Sequence, residues 1–326
     1  MRAIEIPYSG ELLLGHLVAY GLVIALDDAG VPAFVRHSAE SLSFEPIVEL
    51  ADDIDDEAIA AAVRSTAAVA ESAVEADLVP GKSGNDRRSV IWARGSFAND
   101  TSQAGTVVLR RAELVERASA TDGRALLGVL AGLGSPASWG PDTLKPPHGS
   151  TALDGVLGNH TSDIVRGVLR PARAAASALE AAELWATTPT KGPAQLDKTG
   201  WAPAGTQAPL AHQWLAVLGL GVLPVAHRPT RRSATPASWS TREPRASGLT
   251  LPLFSRATSL ARIRVSLGLR ALTSVAVQAD AGAALVASAE LRALGIPEVV
   301  MFERLDARGQ GSSVAFSFRR GRRVEL

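Results

Sequence analysis

Residues 11–29, ELLLGHLVAYGLVIALDDA, decide the fold. Leu12, Leu13, Leu17, Tyr20, Leu22 and Leu26 recur through a segment with no proline and no charge between Glu11 and Asp27, which reads as a mostly apolar helix. Its longest apolar run, from His16 to Leu26, is about eleven residues, roughly half of what a membrane span needs. Strand patterns flank it on both sides. Residues 2–6, RAIEI, read as a short strand followed by a turn rather than as a charged leader with an apolar core, and residues 33–36 and 42–49 read as two more strands. The chain is therefore expected to be α+β, with mixed helices and short antiparallel sheets.

Further along, Asp52, Asp53, Asp55, Asp56 and Glu57 stand at the head of EAIAAAVRSTAAVAESAVEA, a strong helix pattern with acids at its positive end. Residues 89–94 and 106–111 suggest a hairpin around a polar loop. From about 112 to 186 the pattern is helical, interrupted by a Gly/Pro/Ser-rich stretch from Gly132 to Ser150. A second breaker, Thr187 to Gly205, divides an N-terminal α+β domain, 1–190, from an arginine-rich α+β region, 206–326. The latter reads as an apolar helix from Leu210 to Leu223, a polar loop from Ala226 to Gly248, the strand-like LTLPLF, a helix near Ser259 to Leu269, and three strands between Glu298 and Leu326. LLGVLAGLGSP and WLAVLGLGVLP echo one another, but two copies do not make a repeat architecture.

The chain has 326 residues, is 46% hydrophobic and 20% charged, and carries no cysteine. Wholesale disorder is excluded, as are disulfides, thiolate metal sites and cysteine nucleophiles, and a reducing cytoplasm is the expected compartment. The net charge of zero conceals an asymmetry. Residues 1–80 hold fifteen acidic and three basic side chains, whereas residues 201–326 hold seven acidic and sixteen basic, all sixteen of them arginine. A guanidinium bridges two phosphate oxygens and stacks on a base, which an ammonium does not. A GC-rich genome accounts for arginine over lysine but not for its clustering.

Several motifs with possible chemistry have plainer readings. Ala76 to Ser83 fits a permissive phosphate-loop pattern, but the real loop needs a strand before it and a helix after it. Here a helix pattern precedes it, Pro80 stiffens it and polar residues follow, so an exposed turn is expected. The DDIDD at 52–56 matches an acidic diphosphate–magnesium motif, but it lies at a helix start with no second acidic motif to face it. The histidines, His16, His37, His148, His160, His212 and His227, show no metal-ligand spacing, and no GxSxG elbow is present. His160 and Asp163 can share a helix face, which is most often a surface hydrogen bond. No catalytic residue, metal or cofactor is assigned.

The arginine cluster is the sharper signal. Arg228, Arg231, Arg232, Arg242, Arg245, Arg256, Arg262, Arg264 and Arg270 are opposed only by Glu243. Trp239 lies among the first five, where an exposed ring stacks on a base. Arg319, Arg320, Arg322 and Arg323 form a second focus. Two basic foci and an aromatic point to an anionic polymer as partner.

The order of several blocks then resembles one family. GELLLGHLVAYGL, from Gly10 to Leu22, resembles the N-terminal segment of certain CRISPR type I effector subunits of subtype G (formerly U). WLAVLGLGVLP, from Trp214 to Pro224, is similar again, followed as in those proteins by an arginine-rich loop, then Leu251-Pro252-Leu253-Phe254 and Ser259-Leu260. The similarity covers about a quarter of the chain. It implies a large-subunit role in a Cascade, the RNA-guided surveillance ribonucleoprotein of antiviral defence: a non-catalytic, RNA-binding and DNA-binding subunit. Its implied partners are guide RNA, target DNA, other Cascade subunits and a separate helicase–nuclease that it helps recruit; the shortness of the apolar run at 16–26 separately argues for no membrane partner. Guide pairing supplies specificity there, while protein arginines hold backbones and help recognise the protospacer-adjacent motif. The chain departs from the pattern in being short for a large subunit and in ending in strands rather than a helical bundle, which leaves open which subunit it is. A stand-alone metal-dependent enzyme with an unrecognised carboxylate or histidine site, and a protein–protein scaffold, are the competing classes.

Overall fold

The computed structural model describes residues 2–39, 43–76, 78–80, 87–89, 116, 171–177, 179–186, 208–223, 225–228, 233–236, 239–242, 246–277, 281–306, 316–318 and 320–326. Helix α1, Leu13–Asp28, is buried at every residue from Leu13 to Leu26, as a helix apolar on all sides must be in water. It ends where Gly30 enters the left-handed region (φ 74°). The Gly30 N–H reaches Asp27 O, and the Val31 N–H reaches back to Leu26 O at 2.8 Å. The partner of α1 is the second apolar helix of the sequence, Leu210–Leu220, whose residues from Ala211 to Leu220 are likewise all buried.

An antiparallel sheet lies against α1. Strand β3, Pro46–Leu50, is flanked by β1, Arg2–Glu5, and by β2, Ala33–His37. Ile4, Val48 and Val35 are register partners across the three strands, and all are buried. The sheet's fourth strand, β10 (Thr258–Ser259), pairs with β2 from more than two hundred residues away. Strands from the start of the chain and from its last third thus share one sheet, and one hydrophobic core contains side chains from both. The breaker at 187–205, and most of the helical middle section around it, lie outside the described residues.

Helix α2, Asp56–Ala76, packs on α1. Asp55 Oδ1 accepts the Ala58 N–H at 2.8 Å, so the acidic run caps a helix, as its position suggests. Short helical stretches at 171–177 and α3, Ala181–Leu184, follow, then α4, the Leu210–Leu220 helix that packs against α1. In α4 the buried Trp214 indole N–H donates to Thr66 Oγ1 of α2 at 3.2 Å.

The second sheet runs β12–β11–β9–β8, with β13 also paired to β11. Its strands are β8, Trp239–Arg242; β9, Ala246–Leu253; β11, Glu298–Asp306; β12, Phe316–Phe318; and β13, Arg322–Glu325. The three C-terminal strands are those the sequence predicts. Two expectations need correction. The polar stretch from 226 to 248 is not simply a loop: β6, Val225–Arg228, pairs with β7, Ser233–Pro236, and β8 adds to the edge of β9. A ladder at a sheet edge satisfies backbone groups whatever the polarity of the side chains. The strand expected at 42–49 begins only at Pro46, because Phe44 turns the chain with a φ of 38° and buries its ring.

Candidate nucleic-acid interface

The candidate site lies where β9 hands the chain to helix α5, Leu260–Leu267. Phe254, just past β9, is buried and gripped by His37 of β2. The His37 backbone N–H donates to Phe254 O at 2.7 Å, and the Phe254 N–H donates to His37 Nδ1 at 3.0 Å. Ser255 and Arg256 then turn outward, and Thr258 Oγ1 donates to Arg256 O at 2.8 Å. Ser259 caps α5, which buries Leu260, Ile263 and Leu267 and leaves Arg262, Arg264 and Val265 exposed. Helix α6, Arg270–Val277, and helix α7, Ala281–Ala293, complete the region.

The end of α7 is closed by a glycine motif. Gly295 adopts φ 74°, its N–H reaches Arg292 O, and the Ile296 N–H reaches Leu291 O at 2.9 Å, with Ile296 and Leu291 both buried. Arg262 Nη2 donates to Leu294 O at 2.6 Å, tying α5 to this end. Between the two lies an open cavity of about 320 Å³, lined by Phe254, Ser255, Arg256, Thr258, Arg262, Arg292, Gly295 and Pro297. Its described lining holds three arginines and no carboxylate.

Arginines sort by region. Arg2, Arg36, Arg64 and Arg173 pair with Asp56, Glu49, Glu57 and Glu71 respectively. At the other end of the chain, Arg323 holds both oxygens of Glu298 at 2.7 Å and lies over the Phe44 ring, while Arg320 pairs with Glu11 at 3.3 Å. By contrast, the exposed Arg256, Arg264, Arg270 and Arg292 form no ion pair among the described residues, and Arg262 bonds through its side chain to a backbone carbonyl only. Arg322 is exposed beside the Met301 sulfur. Unneutralised guanidinium groups therefore gather around α5, α6 and the end of α7.

Of the other residues singled out from sequence, Arg228 lies on β6, and Trp239 and Arg242 lie on β8. Arg231, Arg232, Arg245 and Arg319 lie outside the described residues, as do His148, His160 and Asp163. Arg292 escaped sequence reading because it stands alone, far from the cluster. The available signal was its place in the last helical turn before Leu-Gly-Ile-Pro, a helix-stop pattern.

The remaining candidates have structural roles. Leu78–Pro80 is strand β4, paired with β5, Arg87–Ser89, so a short strand stands between α2 and Gly81 where only a helix pattern was expected, and the next described element is again a strand. Three histidines are buried and hydrogen-bonded in one tautomer each. His16 Nε2–H donates to Gly10 O at 2.8 Å and its Nδ1 accepts from His37 Nε2–H at 3.2 Å. His37 Nδ1 is in turn the acceptor for Phe254. His212 Nε2–H donates to Leu184 O, and its Nδ1 accepts the Tyr8 hydroxyl at 2.7 Å. Burial holds the His16 and His212 imidazoles down to about 4 and His37 well below its ordinary value. Among the described residues no three His, Asp or Glu side chains come together as a metal-ligand group, and no helix is long and apolar enough to cross a membrane. No protein-family model matches the chain, and no curated protein matches it significantly.

Proposed function

We propose that this chain is a non-catalytic subunit of an RNA-guided CRISPR surveillance complex of the type I-G kind, holding guide RNA and target DNA by their backbones. The observation that carries the reading is the segregation of free charge. Arginines in the acidic first part of the chain are matched to the protein's own carboxylates, whereas Arg264 and Arg270 form no ion pair among the described residues and face solvent, as does Arg322 beside the Met301 sulfur. A fold gains nothing from leaving like charges together at its surface, but a phosphate backbone rewards it. Arg228, on the β6–β7 hairpin, and Trp239 and Arg242, on β8 of the second sheet, extend the basic region in the reading. The resemblance of the apolar blocks supports the assignment to the effector complex, with other Cascade subunits and the helicase–nuclease as protein partners. The acidic first quarter, at fifteen acids to three bases over residues 1–80, suits basic partner subunits or keeps nucleic acid to one side.

Anisotropy of labelled single-stranded RNA and duplex DNA, titrated across salt, tests the nucleic-acid part. Arg264→Gln/Arg270→Gln should weaken binding about tenfold or more and flatten the salt slope by roughly 0.7–0.9 per lost phosphate contact. An unchanged slope and affinity would remove these arginines from the interface. Co-expression with a CRISPR array and the other effector subunits tests the assembly: the chain should purify with a guide RNA. Recovery of the chain free of RNA and of those subunits sinks the assignment.

A further inference from the structure

We propose that the cavity between residues 254–258, α5 and the end of α7 is a discrete site for a terminal phosphate monoester, such as the 5′-phosphate of a nucleotide or of an oligonucleotide end. The inference rests on the nucleic-acid reading for the source of the ligand but on separate geometry for the site. Arg256, Arg262 and Arg292 come from a turn, a helix and a helix end, and meet around one concavity whose described lining has no acid. The volume, about 320 Å³, is at the small end of ligand pockets, roughly 300–1,000 Å³. That suits one nucleotide and not a duplex.

The bond from Arg262 to Leu294 O caps α7 and accounts for Arg262 alone. It leaves the rest of that guanidinium as an oriented donor set. Among the described residues Arg256 and Arg292 have no such internal partner, so the described structure does not explain why they line one concavity. A phosphate monoester does. It carries close to two negative charges near neutral pH and offers three terminal oxygens to three planar forks, where a diester within a strand offers one charge and two free oxygens. The first turn of α5 borders the cavity between Thr258 and Arg262, so the positive end of its dipole adds to the field, and the exposed Ser255 supplies a hydroxyl.

The walls are prepared for binding rather than loose. Phe254 is pinned to His37 through two hydrogen bonds, and Gly295 keeps clear the space beside Arg262: a Cβ there would come within 3.1 Å of Nη2. Arg262, already held by Leu294 O, loses little freedom when the anion arrives.

The test uses the full chain and two RNA oligonucleotides of one sequence, labelled at the 3′ end, one bearing a 5′-phosphate and one a 5′-hydroxyl. The phosphorylated end should bind tenfold or more tightly, and Arg292→Gln or Arg256→Gln should cut that ratio below about threefold. Equal affinity for both ends overturns the site while leaving the nucleic-acid reading intact. Failure of both RNAs to bind overturns that reading, and titration with a nucleoside 5′-monophosphate, with inorganic phosphate as competitor, then decides the site by itself. Uptake that Arg292→Gln weakens tenfold supports it; no uptake ends it. Both arginines are exposed, so these variants should unfold like the parent.

Discussion

Gly21 of α1 and Leu215 of α4 touch backbone to backbone: a Cβ on Gly21 would lie 1.8 Å from the Leu215 carbonyl oxygen. The contact is reciprocated, since a Cβ on Gly219 of α4 would lie 2.0 Å from Leu17 O of α1. Two glycines on facing helices let the axes approach more closely than any side chain allows. The pair then buries Leu13, Leu17, Leu22, Leu26, Leu215 and Leu218 at the centre of the core, at about 1.5–3 kcal/mol each.

Gly21→Ala or Gly219→Ala should therefore cost about 3 kcal/mol or more, because the obstacle is backbone and cannot rotate away. Gly30→Ala is the control. It has open space around it but a φ of 74°, so its cost is conformational only, about 1–2 kcal/mol. Urea unfolding curves separate the two, and a Gly21→Ala protein as stable as the parent would refute the close approach.

Acidification should destabilise the fold through its buried imidazoles. An unfolded histidine takes up a proton near 6.5, whereas burial keeps His16 and His212 neutral down to about 4 and His37 well below its usual value. Between these limits the unfolded chain binds more protons than the folded one. Stability is thus full above about pH 6.5, falls as pH drops, and levels off only when the folded imidazoles also protonate. Each proton of difference is worth about 1.4 kcal/mol per pH unit, so three histidines give a slope approaching about 4. Denaturation midpoints that stay flat from about pH 6.5 to 5 would contradict the buried, neutral assignment.

The hydrogen bond between α4 and α2 makes a sharper point mutation. Thr66→Val removes the acceptor of the buried Trp214 indole N–H while keeping the shape of the side chain. A loss of about 1–3 kcal/mol is expected, with Thr66→Ser close to the parent. Thermal unfolding followed by tryptophan fluorescence reads both.

Arg323 and Arg320 should behave differently although they are near neighbours. The Arg323 side chain is 32% exposed and holds both oxygens of Glu298, itself 25% exposed, so Arg323→Gln should cost about 1–2 kcal/mol, between an exposed and a buried ion pair. Arg320 is 72% exposed, and Arg320→Gln should change stability by less than about 0.5 kcal/mol. Adding Glu298→Gln to Arg323→Gln should recover part of the loss, and additivity in that cycle would show the pair to be uncoupled.

What the sequence by itself determined is local. The apolar runs at 13–26 and 210–220, the acid-capped start of α2, the short opening strand and the three closing strands follow from periodicity, helix caps and turn residues a few positions apart. The strands at 225–242 were hidden because their side chains are polar and prolines interrupt them; what makes them strands is a hydrogen-bonded partner, which composition does not reveal. Tertiary structure alone decided which arginines are free. Arg323 and Arg256 look alike in a list of residues, yet the pairing of β13 with β11 brings Arg323 to Glu298, while Arg256 lines a cavity with Arg262 and Arg292, the latter from thirty-six positions further along, and no acid is among its described lining. Coulomb energy depends on distance in space and on exposure to water, and neither is a function of separation along the chain.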